Sequence, residues 1–179
     1  MLSTPFRFEP ELTPEDFQKL GQLAMRWSHI EHMIGNCLKA LLDLSMEDAV
    51  VMVFSLSTEQ RLQRLSQLAK TKTLNTEAEK ALSELVDIMK GLQIVRNDTI
   101  HGIMAEGSSG QILHNRSKQR QITKEQVFSC EELTNYAAHA VLSLRYALGL
   151  KDSPGDRHPL PERPEIPAFL QKSIPSRKK

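Results

Sequence analysis

"NTEAEKALSELVDIMKGLQIVRNDTIHG", residues 75–102, is the stretch that decides the fold. Ala78, Leu82, Leu85, Met89, Leu92 and Thr99 recur at steps of three and four, the spacing of one face of an α-helix. Asn75 or Thr76 suits its start, and Gly102 suits the left-handed position that stops it after His101. One residue interrupts the seam through positions 82, 85, 89, 92, 96 and 99. That residue is Arg96, a cation where an apolar side chain is expected.

The same period extends upstream. "TPED" at 13–16 supplies a Thr N-cap, a Pro at the first helical position and acids in the first turn. The helix it opens is predicted to reach about Leu44, spanning roughly 45 Å at about 1.5 Å per residue. Its inner seam runs through 20, 24, 27, 31, 34, 38 and 41, apolar except at Glu31. Ser45 with Asp48 opens a short helix, "MEDAVVMVFSL", apolar nearly all round and therefore expected to be buried. Ser57 caps a third helix, with Leu62, Leu65, Leu68 and Ala69 on one face.

Downstream, "IMAEGSSGQILHN" at 103–115 reads as two short strands around a Gly/Ser turn. "SCEE" at 129–132 reads as a capping box opening a last helix that reaches about Leu150. Six of the nine prolines lie beyond Lys151, so 151–179 is expected to be an extended, partly disordered tail whose "IPAFLQKSIP" can dock on the body or a partner. The pattern predicts an all-α protein: an up-and-down bundle of four to five helices with a small β-hairpin excursion near 103–115. Residues 1–12 form an extended lead-in and 13–150 the helical domain.

Composition narrows the function classes. A net charge of +1 argues against a generally polybasic chain, and aromatics at 5% argue against a stacking platform for single strands. Cys37 and Cys130 lie far apart and outside any CxxC pattern, so no disulfide framework or zinc cluster is expected. The start lacks the apolar core of a signal peptide, and the longest apolar run, "AVVMVF" at 49–54, is too short for a bilayer. The expectation is a cytoplasmic protein with no membrane partner and no cofactor.

Charges facing a core need partners, and the simplest arrangement pairs Glu31 with Arg96 across two helices. Such a pair either fixes helix register or orients the guanidinium toward a phosphate. The residues just beyond Arg96 favour the second. Asn97 and His101, four residues apart, share a helix face. An imidazole can take a 2′-OH proton or donate to a leaving oxygen, a guanidinium can stabilise a phosphorane, and an amide can orient either. These are the groups that metal-free cleavage of RNA requires.

"RNDTIHG" closing an amphipathic helix, in a small bundle with a long first helix, resembles the HEPN superfamily and its signature R-x(4–6)-H. Arg96, Asn97 and His101 match those positions, and "AMRWSHIEHMIGNCLKALLDLS" is similar to HEPN first helices. The resemblance implies a homodimer in which two copies of the motif face one cleft and cleave RNA without metal, in toxin–antitoxin, defence or stress systems. It also implies a possible antitoxin or regulatory protein as partner. In one subset a tyrosine comes next, as R-x(4)-H-x-Y. Here that position is Ile103, which argues against regulation through it. Some members are non-catalytic modules that bind protein or RNA, and this is the alternative reading.

Arg116, Lys118 and Arg120 alternate in an extended segment and are candidate RNA-backbone contacts. His29 and His32, with Glu31, lack a convincing third metal ligand, so surface roles fit better. Cys130 reads as structural and Asp98 as exposed.

Overall fold

The computed structural model describes residues 12–104, 111–114, 121–150 and 158–175. The bundle is all-α, as the periodicity predicts, with helices α1 (Pro14–Leu41), α2 (Met46–Ala49), α3 (Thr58–Thr71), α4 (Thr76–His101), α5 (Lys124–Phe128) and α6 (Glu131–Ala147). Local caps set most of the starts. Thr13 and Asp16 exchange bonds of 3.0 and 3.1 Å at the head of α1. Ser57 and Gln60 do the same for α3, and Asn75 Oδ1 accepts from the Ala78 N–H at 2.8 Å at the start of α4.

Helix α6 packs against both α4 and α1, and α3 touches α1 and α4 from the other side. The core is drawn chiefly from Ile30, Ile34 and Leu38 of α1, Leu85, Met89 and Leu92 of α4, and Leu133, Ala137 and Leu144 of α6. From His101 the chain passes directly into a small antiparallel sheet of order β1-β2-β3, built from Gly102–Met104, Gln111–His114 and Gln121–Thr123. The expected hairpin is the β1–β2 pair, with Ile103 opposite Leu113. A third strand, pairing Ile122 with Ile112, adds to it and sends the Ile122 side chain into the core.

Several expectations are corrected. The first helix stops at Leu41, and its apolar burial is confined to the second half: Trp27, Ile30, Ile34 and Leu38 are buried, whereas Ala24 is exposed. The segment after Ser45 is not a buried helix. Helix α2 gives way to a π-helical turn, Val50–Phe54, whose Val51 is 72% exposed, while Ala49 and Val53 alone of this stretch are fully covered. Its carbonyls are gathered by arginines of α3: Arg61 donates to Val53 and Phe54, and Arg64 to Met52. Gly35 permits this close approach, since a Cβ there would collide with the Phe54 ring.

No box forms at 129–132; one forms instead six residues earlier, on a different helix. Thr123 and Gln126 cap α5, and the Ser129 hydroxyl donates to Gln126 O at 2.8 Å, so α6 starts at Cys130 with no side-chain cap. The part of the tail at 158–175 is docked on the body: Leu170 and Ile174 are fully buried, and Ile174 sits where a side chain at Gly91 would be. Among the described residues no helix is long and apolar enough to cross a membrane.

Candidate functional site

The buried face of α4 runs through Ala81, Leu85, Ile88, Leu92, Val95 and Asp98, a course slightly rotated from the seam read off the sequence. Asp98, expected to be exposed, is 5% exposed. Arg96 and Thr99 consequently lie at the edge of the buried face, and Arg96 is half-buried.

The partnership expected of Glu31 is accordingly different. Its Oε1 accepts from Trp27 Nε1 at 2.6 Å and from the Thr58 hydroxyl, not from Arg96. Arg61 adds a bond of 3.1 Å to the Glu31 backbone carbonyl. Glu31 therefore ties α3 to α1. Desolvation holds the Arg61 guanidinium below its ordinary pKa, against the attraction of the Glu31 charge.

Arg96 Nη1 donates to Asn97 Oδ1 at 3.2 Å, so two members of the predicted motif meet directly. Below them Thr99 donates to Val95 O at 2.7 Å, and helix α4 ends at His101. The His101 side chain, together with Arg116, Lys118 and Arg120, lies outside the described residues.

Neighbouring residues 96 and 97 point into different depressions. Arg96 and Thr99 line a groove of about 360 Å³ between the first half of α1, the end of α4 and the start of α6. Phe17, Leu20 and Leu23 form one wall and buried Trp27 the floor, with Phe17 53% exposed. Outside the groove two ion pairs tie α1 to its neighbours: the Lys124 ammonium of α5 meets Asp16 at 3.2 Å, and Arg26 meets Glu131 of α6 at 2.7 Å. Asn97 instead lines a cleft of about 730 Å³ between α3 and α4. There Gln63, Gln67 and Lys70 of α3 face Lys90 and Gln93 of α4.

Other candidates resolve simply. His29 and His32 are exposed, and the His32 ring stacks on Phe54 with centroids 5.4 Å apart. No group of three metal-ligating side chains gathers among the described residues. Burial pushes the Cys130 thiol up to about 12, and the Cys37 thiol likewise, so neither is a thiolate nucleophile near neutrality. The α3–α4 cleft is what sequence reading missed. Its signal was present as polar residues at 63, 67 and 70 and at 90, 93 and 97, each set on one helical face.

No protein-family model, curated protein or solved structure matches this chain.

Proposed function

We propose that this protein is a metal-independent endoribonuclease of HEPN type, acting as a homodimer with a composite RNA-cleaving site. His101 takes the proton of a ribose 2′-OH as that oxygen attacks the adjacent phosphorus. The 5′-oxygen bond breaks, and the imidazolium of the second copy returns a proton to the leaving oxygen. The products are a 2′,3′-cyclic phosphate and a 5′-hydroxyl. Arg96 meets the charge that builds on the phosphorane, and Asn97 orients the guanidinium. Glu31 acts at a distance, by holding Trp27 beneath the groove that Arg96 lines.

The observation that carries the reading is the 3.2 Å contact between Arg96 and Asn97, just over one helical turn before His101 at the end of α4. A guanidinium and an amide already joined at the rim shared by two open depressions need little rearrangement to receive a phosphate. An antitoxin or other regulatory protein would act by covering that rim.

The test is incubation of purified protein with mixed RNA in the presence of a chelator. Parent protein is expected to yield cyclic-phosphate ends. His101→Ala is expected to abolish cleavage, a loss of at least about 10²-fold, with an unchanged circular dichroism spectrum. Parent-like cleavage by His101→Ala sinks the mechanism.

One observation favours a second reading, a non-catalytic helical dimer that binds protein or RNA. The groove beside Arg96 is walled mostly by apolar side chains, a surface suited to another helix. Under that reading the parent shows no cleavage, and Phe17→Asp abolishes self-association.

A further inference from the structure

The cleft between α3 and α4 carries a repeated arrangement. On α3, Gln63, Gln67 and Lys70 are spaced at steps of four and three. On α4, Lys90, Gln93 and Asn97 are spaced at steps of three and four. Each wall thus presents two carboxamides and one ammonium, over an apolar strip that includes Val86 and Ile94.

A carboxamide sets a donor beside an acceptor, the pattern that meets the N6 and N7 edge of adenine in a bidentate pair. An ammonium offers charge to a phosphate without reading sequence. No aromatic residue is among those lining the cleft, so stacking is not the means of holding a base there. Glu59, the carboxylate on the rim, would repel phosphates and accept from exocyclic amines instead.

We infer that this cleft holds an adenine-containing single-stranded portion of the RNA substrate, with Gln63, Gln67 and Gln93 on base edges and Lys70 and Lys90 on phosphates. The inference rests on the ribonuclease reading and gives that site its substrate preference. Asn97 joins the two, because it lines the cleft and bonds to Arg96.

The experiment measures fluorescence anisotropy of labelled oligo(A) and oligo(U) of equal length on full-length His101→Ala protein, across a salt series. Oligo(A) is expected to bind about tenfold more tightly than oligo(U). Gln67→Ala combined with Gln93→Ala erases that preference. Lys70→Glu combined with Lys90→Glu weakens both oligomers about tenfold or more and lowers the salt slope by about two. In the cleavage-competent parent background, both pairs raise KM and leave kcat unchanged.

Circular dichroism establishes that each variant is folded. If folded variants keep the preference, the salt slope and KM, the cleft assignment is overturned while the ribonuclease reading stands on His101. A parent that binds oligo(A) through these residues but never cleaves leaves the cleft standing and overturns the ribonuclease. A parent that binds neither oligomer, or binds both equally, overturns the cleft assignment, and the ribonuclease reading is then decided by the mixed-RNA cleavage assay alone.

Discussion

The groove on one side of the end of α4 and the cleft on the other are made of different materials. The groove is an extension of the core, floored by Trp27 and walled by side chains that α1 leaves uncovered. The cleft is a solvated depression whose side chains mostly belong to no packed cluster. One helix edge, at residues 96 and 97, serves both. The comparison teaches that the two depressions should respond differently to substitution, because the groove's floor is packed into the core and most of the cleft's side chains are not.

The largest effect expected from that contrast is at Trp27. Trp27→Ala removes a buried indole and one donor to Glu31, and is expected to cost about 3–5 kcal/mol in urea unfolding. Gln63→Ala, on the exposed wall of the cleft, is expected to fall within about 0.5 kcal/mol of the parent. Comparable losses at the two positions would break the distinction between the depressions.

A smaller effect separates the partners of Glu31. Thr58→Val leaves the carboxylate with the indole alone among its side-chain donors, and is expected to cost about 1–3 kcal/mol. A double-mutant cycle sharpens the point. Glu31→Gln with Thr58→Val is expected to show coupling of about 1 kcal/mol, and Glu31→Gln with Arg96→Ala less than about 0.5 kcal/mol. A large Glu31–Arg96 coupling would return the pair to the arrangement that the sequence pattern suggested.

What was legible in the sequence came from local chemistry. The starts of α1, α3 and α4 were readable because Thr13, Ser57 and Asn75 cap through bonds three residues long. The end of α4 at His101 falls where Gly102 was expected to stop it. Failures came where several residues distant in sequence decide the outcome. Glu31 was matched to Arg96 because both broke a seam, but the seam on α4 is rotated enough to leave Arg96 at its edge, and Thr58 arrives from another helix. The segment 50–54 looked buried because it is apolar, yet a π-helical turn held by Arg61 and Arg64 keeps it at the surface. Helix α5 was a true local miss. Thr123 and Gln126 have the spacing of a capping box, overlooked inside a run of cations taken to be extended.

The smallest predicted effect concerns the first turn of α1, where Asp16 joins the head of the helix to Lys124 of α5. The Thr13 backbone N–H holds the Asp16 carboxyl below its ordinary pKa, with Lys124 helping and burial opposing. A folded-state pKa below that of the unfolded chain means that the folded form favours the carboxylate. The resulting stability is present above the unfolded value, about 4, and is lost as pH falls through the folded value. Urea midpoints of the parent measured from about pH 6 down to about pH 3 should therefore decline more steeply than those of Asp16→Asn. Lys90→Ala, in the cleft and away from this pair, should track the parent. If Asp16→Asn tracks it too, the Asp16 carboxylate adds nothing to the stability of the first turn of α1, which then rests on the Thr13 cap and packing.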